Sequence, residues 1–471
     1  MRGQGASRLC SIALAAALVG CAAGPYNLPR NLPLPVRPPD GRQQPHEPTD
    51  VLDDVSVAVS FSGGGIRAAA FSLGILQGLD RQALDERSSL LDQLSFITSV
   101  SGGSLTSAYY GLHGKEGLLK FQQLLKDGDG EATLRLSLFN PLNLWRLWSG
   151  GLNAREDLKG WLEGQVFGDA TFGDMYKRGK PLIWINATNL EQRIAFPFQE
   201  RTLEAMCSDI GSYPLSEAVA ASMAVPLVFS PVVLENFPER CAEALPVWVD
   251  QHAASSDPSL LSKALLSAVK SARDRGAGRY LKLVDGGISD NLGLTSLHQM
   301  RILLGTPYGP WTERDALRVR RLLFIVVDSG RRPNVRWNQS IAGPNAVDVA
   351  SASIDAAIDT NARLSYDSFL AEIKAWEAAI VRYRCTLPAE RVDALVQQKP
   401  GWRCDDVRFE VTRISFDDLE PTKASRLSAI PTRLRLDPGD VDALVESGAE
   451  AIERSAASQA FLRDARADQA R

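Results

Sequence analysis

Val55-Ser56-Val57-Ala58-Val59-Ser60-Phe61-Ser62-Gly63-Gly64-Gly65-Ile66-Arg67 is the stretch whose reading decides the fold. Val55, Val57 and Val59 alternate and are β-branched, which suits a buried strand. Beyond the glycines, Ile66, Ala69, Leu73, Leu76 and Leu79 fall at helical spacing and mark one apolar face. Three consecutive glycines between strand and helix let backbone N–H groups converge at a helix N-terminus, where the dipole favours negative charge. The sequence therefore predicts an anion-binding loop in an α/β fold.

A second unit of the same kind follows. Leu94-Ser95-Phe96-Ile97-Thr98-Ser99-Val100 reads as a strand, and Leu105, Ala108, Tyr109 and Leu112 continue as a helix. Between them stands Ser101, with Ser99 and Gly103 two positions to either side. A nucleophile elbow needs this arrangement, because the sharp turn exposes the hydroxyl and small neighbours let strand and helix approach. A dinucleotide site is the rival for the first loop, since Gly63-x-Gly65-x-x-Ala68 fits its fingerprint. That site wants an acid at the end of the second strand, where Thr98-Ser99-Val100-Ser101 offers none. A phosphate-binding Walker loop fails as well, because no Gly-Lys-Ser/Thr follows.

Taken together, the two loops resemble those of the patatin-like phospholipases. That family joins a Gly-Gly-Gly-x-Arg loop to a Gly-x-Ser-x-Gly elbow and a distant Asp-Gly-Gly. Here these are Gly63-Gly64-Gly65-Ile66-Arg67, Ser99-Val100-Ser101-Gly102-Gly103 and Asp285-Gly286-Gly287, with Ser99 where the pattern usually has glycine. The resemblance extends to Asn186-Ala187-Thr188 after a strand from Pro181. It also takes in a helix from Ala218 to Met223 that Ser216 could cap, and Phe229-Ser230-Pro231-Val232. Leu322 to Asp328 reads as another buried strand by its unbroken apolar run. The likeness covers residues 51–330 and weakens beyond, where Ala429-Ile430-Pro431-Thr432 and a helix from Pro438 to Ile452 resemble the end of some bacterial members. It implies a three-layer α/β fold with a central, mostly parallel sheet flanked by helices.

The chemistry follows from residue types. A serine hydroxyl needs a base, and the chain has four histidines. His298 follows Asp285 in the chain order of an α/β-hydrolase triad, but it falls within a helical pattern from Leu294 to Met300. The resemblance instead implies a Ser101–Asp285 dyad, with Asp285 taking the proton and returning it to the leaving group. It puts the oxyanion hole at Gly63, Gly64, Gly65 and Gly102, with Arg67 fixing that loop or adding positive potential. The implied reaction is ester hydrolysis through an acyl-enzyme, on a phospholipid or another lipid ester. Hydrolysis of thioesters or neutral lipids is one alternative, and a non-catalytic lipid-binding envelope protein is another.

Composition narrows the partners. A 45% hydrophobic and 23% charged chain of 471 residues can bury a large core. A net charge of −4 without a basic block argues against nucleic acid. No cofactor or metal is indicated. Arg2 and Arg8 precede an apolar run from Ile12 to Val19 that is too short for a permanent membrane span. Leu18-Val19-Gly20-Cys21 resembles a bacterial lipobox, which makes residues 1–20 a signal peptide and Cys21 an acylated N-terminus. Ala22 resembles the residue that sends lipoproteins to the outer membrane, so the expected location is its periplasmic face in a Gram-negative cell. Residues 21–50, rich in proline from Pro25 to Pro48, read as a lipid-anchored tether. Residues 331–471 read as an extension packed on the catalytic domain. In an exported protein Cys207, Cys241, Cys385 and Cys404 could form two disulfides, the sequence-local pairing being the simplest of three. Leu136 to Leu152, with Trp145, Arg146 and Trp148, reads as a loop packed on the domain or as a lid lying at a lipid surface.

Overall fold

The computed structural model describes residues 27–35, 46–132, 134, 151–153, 155–241, 259–276, 278–331, 337–339, 341–396 and 402–469. The strands of its main sheet are β1 (Val55–Phe61), β2 (Leu94–Val100), β3 (Leu182–Asn189), β4 (Ile194–Phe198), β5 (Val232–Glu235), β6 (Tyr280–Asp285), β7 (Arg321–Asp328) and β8 (Arg408–Ser415). They lie in the order β8-β7-β1-β2-β3-β6-β5, and β4 also pairs with β3. From β8 to β3 every pairing is parallel, while β4, β5 and β6 join antiparallel.

The register of β3 prepares the site. Leu182 to Asn186 pair with β2, Ala187 to Asn189 with β6, and Ile185 to Asn189 with β4. Because β4 overlaps both others along β3, it must occupy the opposite edge. One edge of β3 therefore carries β2 and then β6 end to end. Val100 faces Asn186 and Asp285 faces Ala187, so the turn leaving β2 meets the end of β6.

Two apolar layers cover the sheet, as the period-two alternation of a buried strand requires. On one side Val57, Val59 and Phe61 pack with Ile66, Leu73 and Leu76 of α1 (Gly65–Arg81). On the other, Ala58, Phe96, Phe324 and Val326 pack with Phe369, Ile373, Trp376 and Ile380 of the 41-residue helix α5 (Ala346–Thr386). These four α5 residues recur at helical spacing and form one stripe. In the first layer α1 is joined by α2 (Gly102–His113) and α3 (Leu215–Ser222), and in the second α5 is joined by α4 (Thr295–Leu304). The helix expected to begin at a Ser216 cap starts earlier, after Pro214, and Ser216 lies inside its first turn.

The boundary expected after residue 330 falls inside this sheet, because β8 pairs with β7 along its whole length. Helix α6 (Pro438–Arg454) packs on α1 with the two backbones in touch. A Cβ on Gly74 would collide with the carbonyl of Val445, and one on Gly448 with that of Phe71. The C-terminal residues are thus part of the same core.

The proline-rich segment is also narrower as a tether than its composition suggests. Leu32–Pro33 pairs with Ser208–Asp209, and the buried Asn27 and Asn31 are hydrogen-bonded to the domain. Cys21 with the signal segment, and Trp145, Arg146 and Trp148 with most of the suggested lid, lie outside the described residues. Disulfides join Cys207 to Cys241 and Cys385 to Cys404, with Cα atoms 5.2 and 4.9 Å apart.

Candidate active site

Ser101 follows β2 and caps α2 with φ 50° and ψ −121°, a backbone region that costs a non-glycine residue about 1–3 kcal/mol. The turn is held from three sides. The Ser101 N–H donates to Ser222 Oγ at 2.8 Å, and that hydroxyl donates to the Asn186 carbonyl at 2.6 Å. Ser104 Oγ lies 3.0 Å from the same hydroxyl. Asn186 Nδ2 in turn donates to Thr98 Oγ1 and to the Ser99 carbonyl at 2.8 and 2.9 Å. Ser99, the departure from the expected glycine, is accommodated by a 2.6 Å contact with Ser107 Oγ and a bond to the Trp184 carbonyl.

The exposed hydroxyl meets the second candidate directly. Ser101 Oγ donates to Asp285 Oδ2 at 2.9 Å, and Asp285 Oδ1 accepts the Gly287 N–H at 2.8 Å. The Asp285 backbone is fixed too, its N–H donating to the Ala224 carbonyl and its own carbonyl accepting from Thr188 Oγ1. Burial pushes the Asp285 carboxyl up to about 6, against the opposing pull of the bonds from Gly287 and Ser101. That brings it nearer to neutral pH than an ordinary aspartate, which suits a group that must both take and return a proton.

The first glycine loop closes over this pair. Gly64 and Gly65 have φ of 142° and 62°, which side-chain-bearing residues rarely adopt. Gly102 lies so close that a Cβ there would collide with the Gly65 carbonyl. Among the described residues no acceptor takes the N–H of Gly64, Gly65 or Gly102. All three belong to the N-terminal ends of α1 and α2, where unpaired donors and dipole favour a developing oxyanion. Gly63 instead spends its N–H on the Asn291 carbonyl at 3.1 Å.

Arg67 turns its Nε and Nη1 away from this hole, while its Nη2 lies beside Gly64. Its Nε donates to the Ser329 carbonyl at 3.1 Å, and its Nη1 to the Ile430 carbonyl and Thr432 Oγ1 at 2.8 and 3.0 Å. Burial lowers its guanidinium to about 10. Arg67 thus ties the loop to the C-terminal segment, whose Arg433 carbonyl also accepts the Ile66 N–H at 2.8 Å. Asp290, buried and raised by desolvation, bonds the N–H groups of Leu292 and Thr295 and so starts α4. His298 lies on α4 with Nδ1 2.7 Å from Glu372, away from the Ser101–Asp285 contact.

Sequence reasoning missed Ser222, Asn186 as a brace, and the C-terminal Ile430–Arg433 clamp. The Asn-Ala-Thr motif, which lies inside β3 rather than after the strand as expected, was the available signal for Asn186; a lone serine in an alanine-rich helix gives none for Ser222. A cavity of about 490 Å³ lies elsewhere, lined among others by His46, Glu47, Trp184 and Trp311, and Ser101, Asp285 and the glycine loop do not border it.

A sequence profile described as Patatin-like phospholipase matches residues 59–298. Among solved structures, human GIVD cytosolic phospholipase A2 is similar at 14% identity and a TM-score of 0.38 over 89% of this chain. The chain spans 63% of that protein's length. VipD from Legionella pneumophila is similar at 13% identity and a TM-score of 0.25, over 92% of this chain and 73% of its own. No curated protein matches.

Proposed function

Because the chain belongs to the patatin-like phospholipase family and has its three-layer α/β fold, we propose that it is a serine acyl hydrolase cleaving lipid esters through an acyl-enzyme. The observation that carries this is the 2.9 Å bond from Ser101 Oγ to Asp285 beside the N–H groups of Gly64, Gly65 and Gly102, which meet no acceptor among the described residues. Asp285 Oδ2 takes the hydroxyl proton as Oγ bonds to the ester carbonyl carbon. The carbonyl oxygen gathers negative charge against the N–H groups of Gly64, Gly65 and Gly102. The ester C–O bond then breaks, and the proton passes from Asp285 to the departing alkoxide. Water attacks the acyl-enzyme with the same residue as base, releasing a fatty acid and free Ser101.

The substrate is a phospholipid or related lipid ester. Acyl chains on Cys21 hold the protein at the envelope of a Gram-negative cell, on the periplasmic side of the outer membrane; the support is the sequence Leu18-Val19-Gly20-Cys21-Ala22. An alkyl fluorophosphonate tests the nucleophile. The intact mass should rise by one phosphonyl group, mapped to the peptide holding Ser101, and Asp285→Asn should react far more slowly. Labelling at another serine, or none in folded protein, would sink the proposal.

A further inference from the structure

The segment before the domain is docked beside the active site. Asn27 Nδ2 donates to the carbonyls of Ser230 and Pro231 at 3.0 and 2.9 Å. Asn31 donates to the Glu235 carbonyl and Ser208 Oγ at 2.8 and 3.0 Å, and accepts the Glu235 N–H at 2.9 Å. Leu34 N–H donates to the Cys207 carbonyl at 2.8 Å. Both asparagines are buried, so these bonds form a strap rather than a surface contact. The strap begins at Ser230, in the segment that leaves α3, where Ser222 braces Ser101 and the Ala224 carbonyl accepts the Asp285 N–H.

That segment is apolar and partly exposed. No charged residue stands between Glu217 and Glu235. Leu227 is 61% exposed with φ 73°, a conformation unfavourable for leucine, and Val225 is 42% exposed. Ile288, three residues past Asp285, is 39% exposed, and on the strap Leu28 and Leu32 are 64% and 55% exposed. Cys21 precedes Asn27 by six residues, which span at most about 20 Å even when extended.

We propose that the strap fixes where the membrane anchor leaves the domain, so that the apolar rim of Val225, Leu227 and Ile288 rests on the bilayer that holds Cys21. The enzyme then draws substrate from its own membrane. The commitment to a lipid surface, rather than a protein, rests on the short distance to the anchor and on the uncharged rim. It builds on the proposed acylation of Cys21 and hydrolase activity.

The test uses full-length, acylated protein reconstituted in phosphatidylethanolamine–phosphatidylglycerol vesicles, with a soluble short-chain ester as control. Leu227→Glu with Leu28→Glu, and separately Asn27→Ala with Asn31→Ala, should each lower fatty acid release from the carrying vesicles at least tenfold. Hydrolysis of the soluble ester should stay within twofold of wild type. Unchanged release from the vesicles, or an equal loss on both substrates, overturns the proposal. A shift from dimer to monomer in the leucine variant, with release unchanged, would assign the rim to a second copy and overturn it as well. Failure of the underlying readings shows separately. A Cys21 peptide without acyl chains removes the anchor and with it the strap's role, and a wild type inert on the soluble ester removes the hydrolase.

Discussion

Lowering the pH should switch the enzyme off earlier than an ordinary aspartate base would allow. In the proposed mechanism Asp285 must be ionised to take the Ser101 proton, and burial raises its pKa from 3.8 to about 6. On a soluble ester, kcat/KM should therefore be level above about pH 7 and fall roughly tenfold per pH unit below 6. A solvated aspartate would hold its rate down to about pH 4. Stability should run the opposite way for this group. The folded state holds the Asp285 proton more tightly than the unfolded chain, so its contribution is full below 3.8 and is lost as pH rises through about 6. A rise of roughly two units corresponds to about 3 kcal/mol. Asp285→Asn should accordingly raise the melting temperature at pH 8 but not at pH 4, while abolishing turnover at both. The assay is a pH–rate profile on initial rates, with thermal melts at the same pH values. A profile breaking near 4, or a break near 7 that vanishes in His298→Ala, would refute this account of the base.

Other substitutions separate the parts of the site. Gly65→Ala would force a φ of 62° on alanine and put its Cβ 2.5 Å from the Arg433 carbonyl oxygen. It should lower the rate by ~10²-fold or more, as loss of an oxyanion donor does; a near-normal rate in soluble-ester assays would put the hole elsewhere. Ser99→Gly, which restores the usual family residue, should keep activity and cost about 1 kcal/mol in denaturant titration through its lost bonds and greater chain freedom. Loss of turnover there would mean that the hydroxyl holds the elbow. Replacing Cys385 and Cys404 by alanine opens a loop of sequence separation 19 and should cost about 3 kcal/mol of stability. An unchanged melting temperature, or free thiols at these positions in wild type, would count against that bridge.

The parts legible in the sequence were those in which chemistry and local structure share one stretch. The alternating valines of β1, the glycines after them and the small residues around Ser101 each dictate a conformation by themselves. The closeness of Asp285 to Ser101 is not local, because it arises when β2 and β6 share one edge of β3. Only the resemblance to a family could suggest it. Asn27 and Asn31 were obscured by the prolines around them, which signal extended chain but not whether that chain is docked. The strand β8 alternates weakly and carries Arg408, Glu410 and Arg413 because it is the sheet's edge, where charges are tolerated. Arg67 was legible as a motif residue, yet its three acceptors come from residues 329 to 432.

The most direct test of the central claim is fatty acid release from phospholipid by purified wild type and Ser101→Ala, measured side by side with melting curves to show that both are folded. The account predicts release by the wild type and none above blank for the variant. Equal release by the two proteins, or none by folded wild type across a panel of phospholipids and other lipid esters, would contradict it.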